Sequence, residues 1–242
     1  MKKIDELKEM IDECNNIVFF TGAGVSTDSG LKDFRSSNGL YQEKSIYPAE
    51  YMLSNNCFYN HTEDFYDYYR ENFNCVNSKP NAMHKLIKKL EDIGKVKAVI
   101  TQNIDGLHFK AGSKNVYELH GTIYKNHCIK CNKEYDYDVV FSSKSIPKCE
   151  CGGIIKPNVI LYGEMLPNDA YMNSLKAIDK ADMLIVCGSS LTVYPATGMI
   201  SSFHGKYFVI LNRDETDFDI SAQLVVHDNL SDVAKELLLY YK

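Results

Sequence analysis

Phe19-Phe20-Thr21-Gly22-Ala23-Gly24-Val25-Ser26-Thr27-Asp28-Ser29-Gly30 (FFTGAGVSTDSG) runs from apolar residues through two glycines into a polar stretch. The apolar start, which with the preceding residues makes Ile17–Thr21, has the length and bounds of a buried strand. Gly22 and Gly24 allow a tight turn and the close approach of a phosphate to backbone amides, and Ser26 and Thr27 add hydroxyl donors. A glycine turn that only joins a strand to a helix is the plainer alternative. A dinucleotide fingerprint asks for G-x-G-x-x-G, yet Thr27 stands where the third glycine belongs and the next glycine is Gly30. The acidic residue that a dehydrogenase places about twenty positions on is matched in distance only by Glu43, in a stretch without strand character. Hydride transfer therefore has poor local support.

Val96–Thr101, 183–188, 207–212 and Leu224–Val226 read as further buried strands, and helical periodicity falls at 4–14, 82–93, 169–181 and 231–241. The alternation predicts an α/β fold, a Rossmann-like parallel sheet with helices on both faces and ligands beyond the carboxyl ends of its strands. Two segments break it. Residues 36–76 are rich in Tyr, Asn and Phe, with helices expected at 47–53 and 57–72, and residues 122–156 carry four clustered cysteines and little helical periodicity. Both read as insertions. The expected division is 1–35, 77–121 and 157–242 for the sheet-bearing domain, with 36–76 and 122–156 forming a smaller lobe.

A formal charge of −5 over 242 residues supplies too few cations for a protein whose task is to coat nucleic acid. A mildly acidic surface suits cationic partners such as lysine-rich peptides. No stretch reaches 18 consecutive apolar residues and the first residues form a charged amphipathic helix, so a cytoplasmic protein with no membrane partner is expected. Eight cysteines without a secretion signal read as thiols or metal ligands. The scattered Cys14, Cys57, Cys75 and Cys187 are expected as buried small hydrophobes.

The motifs with chemistry follow strand ends. Phe34 and Arg35 offer a ring cover and a phosphate partner shortly after the first loop. In Thr101-Gln102-Asn103-Ile104-Asp105-Gly106-Leu107-His108, amide and carboxylate side chains can converge on one crevice to bind a carboxamide, a ribose and a water; turn formation is the other reading of Asn103 and Asp105. His120, closing the extended run Tyr117-Glu118-Leu119-His120-Gly121, is a candidate general base or a structural histidine. Cys128-x2-Cys131-x17-Cys149-x-Cys151 is a four-thiolate zinc pattern with its second knuckle shortened to C-x-C, His127 being a conceivable substitute ligand. Four ligands make a closed, structural site. Residues 158–164 read as an extended groove lining, and Gly188-Ser189-Ser190-Leu191, Asn212 and Asp228 follow the last three strands.

In this order the motifs resemble those of the sirtuins, the NAD-dependent protein-lysine deacylases, over residues 17–228. The resemblance implies that NAD is consumed, giving nicotinamide, free lysine and O-acetyl-ADP-ribose from an acylated-lysine protein or peptide. It implies cofactor binding by Gly22, Ala23, Gly24, Ser26, Thr27, Phe34 and Arg35, a nicotinamide pocket of Gln102, Ile104 and Asp105, a ribose and water contact at Asn103, and adenosine contacts at Gly188, Ser189, Ser190, Asn212 and Asp228. His120 takes the general-base role, with Asn103 and Asp105 also catalytic. Val159, Tyr162, Gly163, Glu164 and Val193 line the peptide cleft, and Cys128, Cys131, Cys149 and Cys151 hold one structural zinc. ADP-ribosyl transfer to protein, which breaks the same bond, and a non-catalytic zinc-bearing module are the alternatives. Besides the C-x-C knuckle, Gly30-Leu31-Lys32-Asp33 stands where many members have isoleucine-proline before the aspartate. Desuccinylating members carry Tyr-x-x-Arg in the helical lobe, and here Tyr69 occupies the arginine position, which implies a preference for neutral acyl groups such as acetyl.

Overall fold

The computed structural model describes residues 3–43 and 45–241. Its strands are β1 (Ile17–Thr21), β2 (Val96–Thr101), β3 (Val116–Glu118), β4 (Gly121–Cys128), β5 (Glu134–Asp136), β6 (Ile155–Val159), β7 (Met183–Cys187), β8 (Tyr207–Leu211) and β9 (Leu224–Val226). Its helices are α1 (Lys3–Glu13), α2 (Ala49–Met52), α3 (Asn55–Asn60), α4 (Thr62–Phe73), α5 (Ala82–Asp92), α6 (Leu107–Lys110), α7 (Asp138–Phe141), α8 (Asn168–Lys180) and α9 (Leu230–Tyr240). The strands and helices predicted for the alternating part agree with these to within one residue at each end.

The larger sheet is ordered β3-β2-β1-β7-β8-β9 with every neighbouring pair parallel. Its strands alternate between two cores, which is why they read as unbroken apolar runs. Ile17, Phe19, Ile185 and Val209 face one core, shared with Leu7 and Ile11 of α1, Leu86 and Leu90 of α5 and Leu237 of α9. Val18, Phe20, Leu184 and Ile210 face the other, with Ile178 of α8 and Met199 behind them. The scattered Cys14, Cys57, Cys75 and Cys187 are all buried, as expected.

The smaller sheet, β5-β4-β6, is antiparallel. A third core joins it to α2, α3, α4 and α7 through Phe58, Phe65, Tyr66, Tyr69, Ile123, Val140 and Val159. The Tyr66 hydroxyl donates to Ile155 O at 2.6 Å, tying α4 to β6 at a fully buried point. The helix expected at 57–72 is two helices, because His61 leaves helical geometry at φ −133°, ψ 51°. Ser54 caps the first by accepting from Cys57 N, and Glu63 and Asp64 favour the positive end of the second. The cysteine-bearing insertion, expected with little helix, contains the single turn α7.

Candidate active site

From β1 the sheet grows one way through β2 and β3 and the other way through β7, β8 and β9, so the strand order reverses beside β1. In open parallel sheets the crevice at such a reversal takes the ligand. Here the backbones leaving β1 and β7 touch: Gly22 N donates to Cys187 O at 3.0 Å and Gly24 N to Gly188 O at 2.9 Å. A Cβ on Gly24 would lie 2.8 Å from Gly188 Cα, and one on Gly188, whose φ is +62°, would lie 2.4 Å from Val25 N. The glycines are thus needed for backbone-to-backbone contact between two strand ends. Ala23–Ser29 then forms a 3-10 segment that ends on Gly30 at φ +84°.

A cleft of about 580 Å³ opens above this junction. Every non-metal site residue predicted from sequence lines it except Gly22, which is buried beneath the turn. At its floor Ser26 Oγ donates to Asp105 Oδ2 at 2.6 Å, and Leu107 N donates to Oδ1 at 2.8 Å. Burial pushes the Asp105 carboxyl above the ordinary carboxylate range, against these two donors. Burial likewise pushes Glu118 up to about 7, with the nearby Asp105 charge adding to the effect. Asn103 donates through Nδ2 to Gly22 O and Ser26 Oγ, each at 3.1 Å. Those contacts fix the amide's orientation and leave Oδ1 as its free acceptor among the described residues.

His120 is half-buried, and its Nδ1 lies 2.9 Å from Gln102 O. A carbonyl can only accept, so Nδ1 carries the proton and Nε2 is the basic nitrogen of the neutral ring. Burial holds the imidazole below its ordinary pKa, only partly opposed by that hydrogen bond. Gln102 Oε1 accepts from Ser189 Oγ at 2.8 Å, joining the β2 and β7 strand ends. Ser190 pairs with Thr192, Asn212 Nδ2 donates to Asp214 O, and Asp228 accepts from Asn229 N at the start of α9. Ile104 packs in the third core beside the cleft.

On the opposite wall the Arg35 guanidinium lies over the Tyr41 ring at 5.1 Å, and Phe34 meets Tyr41 edge-on at 5.6 Å. The Tyr41 hydroxyl is 2.8 Å from that of Tyr162, which links the first loop to the groove lining. Glu164 accepts from Lys156 Nζ at 3.1 Å and Leu161 N at 2.9 Å, fixing the bend at Gly163; Val159 and Val193 complete this side. Sequence reasoning missed Arg213, whose Nη2 lies 3.8 Å from Asp33 Oδ2 and adds a cation to the cleft. It also missed Phe73 and Cys75, which line the cleft from the helical insertion. Their only sequence signal was apolar periodicity, which reads as ordinary core.

None of the four clustered cysteines lines the cleft. Their sulfurs all lie within 4.8 Å of one another, with Cys128–Cys151 at 3.4 Å and Cys131–Cys149 at 3.6 Å. Ligands 2.3 Å from a tetrahedral zinc are about 3.8 Å apart, so the set fits one zinc in a closed site. Lys130 N donates to Cys128 Sγ, and the Tyr135 hydroxyl donates to Cys149 Sγ at 3.1 Å, beside the shortened knuckle. A Cβ on Gly153 would sit 2.6 Å from Cys128 Sγ, so the second residue after the C-x-C pair must be small in this direction. His127 is not a ligand: its Nδ1 pairs with Asn158 Oδ1. Purified protein should hold one zinc per chain by atomic absorption, and Cys131→Ser should carry less than about a fifth of that. Full zinc retention in that variant would contradict the four-thiolate site.

A model of the Sir2 family matches residues 22–195. The chain is 51% identical over 242 residues to the NAD-dependent protein deacetylase of Clostridium acetobutylicum, covering 98% of this chain and 99% of that one. The protein of the same name from Clostridium perfringens is 48% identical over 240 residues, with 98% of each covered. Among solved structures, a Sir2 chain with p53 peptide and NAD+ superposes with a TM-score of 0.88 at 38% identity, covering 99% of this chain and 98% of that one. Another, with deacetylated p53 peptide and 3'-O-acetyl ADP ribose, gives a TM-score of 0.91 at 38% identity over 98% of each.

Proposed function

Because the chain belongs to the Sir2 family, we propose that it is an NAD-dependent protein-lysine deacetylase acting on acylated-lysine proteins or peptides. The observation that carries this reading is the convergence of Asn103, Asp105 and His120 on one cleft where the strand order reverses. NAD supplies a labile bond to nicotinamide and, once that bond breaks, an ADP-ribose that accepts the acyl group.

Gly24, Ser26, Thr27 and the β7, β8 and β9 strand ends hold the cofactor's polar length, with Arg35 and Arg213 as its cations. Gln102, Ile104 and Asp105 line the nicotinamide end, and Asn103 Oδ1 accepts from a ribose hydroxyl or a water. His120 Nε2 receives a proton from the ribose hydroxyls, its tautomer set by Gln102 O. The peptide backbone adds as a strand between Val159–Glu164 and Val193, with the acyl-lysine passing inward. Zinc folds the small lobe that carries the groove wall and takes no part in the chemistry. The larger domain comprises 1–35, 77–121 and 157–242 and the small lobe 36–76 and 122–156, a division supported by the third core, which gathers both insertions and is joined by Val159 and Leu161 from the larger domain. No helix among the described residues is long and apolar enough to cross a membrane. Eight cysteines without a disulfide suit the reducing cytoplasm, where we place the protein.

Tyr69 bears on the acyl range. Its ring stacks on Phe65, Phe73 and Phe141 at 5.5–5.7 Å, and its buried hydroxyl has no hydrogen-bond partner among the described residues. The next residue, Arg70, is spent on Asp67 and Ser145 O. A succinyl carboxylate reaching this wall would be desolvated without a counter-ion, a cost of about 2 kcal/mol or more. Mass spectrometry after incubation with NAD and a panel of acyl-lysine peptides should find nicotinamide, deacetylated peptide and O-acetyl-ADP-ribose in equal amounts, with succinyl-lysine processed ~30-fold more slowly. A peptide that gains ADP-ribose and keeps its acyl group would overturn the reading.

A further inference from the structure

Behind the cofactor segment, on the side away from the cleft centre, the Asn81 amide has a partner for every hydrogen-bonding direction it offers. Its Nδ2 donates to Val25 O at 2.7 Å and Ser29 Oγ at 3.0 Å, and its Oδ1 accepts from Met83 N at 3.0 Å as the N-cap of α5. The two ends fix each other's assignment, since Val25 O must accept and Met83 N must donate. Val25 and Ser29 both belong to the 3-10 segment Ala23–Ser29, whose Ala23, Gly24, Ser26 and Thr27 line the cleft. Just ahead of the segment, at the end of β1, Thr21 Oγ1 pairs with His108 Nε2 at 3.0 Å, and the His108 ring packs on that of His84 in the first turn of α5. Burial keeps both rings neutral, with His84 down to about 4 and His108 to about 3. The segment is therefore gripped from behind at its entry and its exit by the start of α5 and what packs on it.

We infer that Asn81 is a positioning residue for NAD binding, tethering the cofactor segment to the rigid start of α5 so that its cleft-facing amides and hydroxyls are preorganised. A helix cap alone would be served equally by Ser or Asp. Only Asn at this position both accepts from α5 and donates twice to the segment. A segment released from its tether is binding-competent for a smaller fraction of the time, and apparent affinity falls by that fraction. The inference rests on the proposed function only in naming NAD as the ligand.

The test compares zinc-loaded wild type with Asn81→Ser, which keeps the cap but cannot reach Val25 O. NAD affinity by isothermal titration should weaken about tenfold, as expected for two lost hydrogen bonds. Hydrogen exchange of the unliganded protein should accelerate across 23–31, with little change in the rest of α5. Asn81→Ala, which loses cap and tether, should match the Ser variant in NAD affinity while melting lower. If Asn81→Ser does not fold, Ser29→Ala removes one acceptor from the segment's side and should weaken NAD binding two- to threefold. Unchanged exchange and unchanged affinity in Asn81→Ser would reduce Asn81 to a helix cap and overturn the inference. Wild-type protein that fails to bind NAD would instead overturn the functional reading, and the exchange measurement would still decide whether the tether exists.

Discussion

His120→Ala should lower kcat for deacetylation by ~10²–10⁴-fold while NAD affinity stays within about threefold of wild type. The size follows from removing a positioned general base. Retained affinity follows from the rest of the cleft, because the Asp105, Asn103 and Ser189 contacts run to Ser26, Gly22 and Gln102 and none depends on the imidazole. Among the described residues the ring's only hydrogen bond is to the backbone oxygen of Gln102, so its loss breaks no side-chain network there. The pH profile carries a second sign. His120 acts in its neutral form, and burial holds its pKa below the ordinary 6.5. Activity should therefore be flat through neutral pH and fall only as pH drops through that lowered value. A kcat unchanged in the alanine variant, or an acid limb centred above 6.5, would remove His120 from the base role.

How much of this was legible in sequence depended on whether a residue's job is local. Strands such as Ile17–Thr21 and Met183–Cys187 are buried on both faces, so their apolar runs announce them, and polar residues after their ends mark the crevice. The site residues after β1, β2, β7, β8 and β9 were reachable for the same reason. Contacts made by distant segments were not. Sequence offers no reason for Gly22 and Gly24 to meet Gly188, or for Asn81 to reach back to Val25. The helical insertion was the least legible part. Phe73 and Cys75 border the cleft from positions that read as core, and the break at His61 between α3 and α4 carries no proline or glycine to announce it. In sequence the C-x-C knuckle is a departure from the usual pair of C-x-x-C knuckles. In three dimensions it sits among four sulfurs already close enough for zinc, with the Tyr135 hydroxyl on one of them.

Gly121→Ala should be among the most destabilising single-methyl additions in the chain, because two independent penalties meet there. Gly121 has φ +74°, where a Cβ costs about 1–2 kcal/mol through its own backbone. The added Cβ would also lie 2.0 Å from Asn158 O, with Asn158 C at 3.0 Å and Val159 Cα at 3.2 Å. These are backbone atoms of β6, paired with β4 at Gly121 and Val159, so no side chain can rotate away. The strands must part at the point where Ile160 N donates to His120 O at 2.9 Å, which loses that hydrogen bond and shifts the catalytic histidine. Strain, separation and the lost bond together come to roughly 3–4 kcal/mol, a fall in Tm on the order of 10 °C for a chain of this size. Gly30→Ala isolates the first penalty, since Gly30 has φ +84° but nothing within 4 Å of its would-be Cβ. That variant should lose only about 1 kcal/mol. Equal melting temperatures for the two variants would mean that β6 yields freely at Asn158, and that the Gly121 contact does not hold His120 against the cleft.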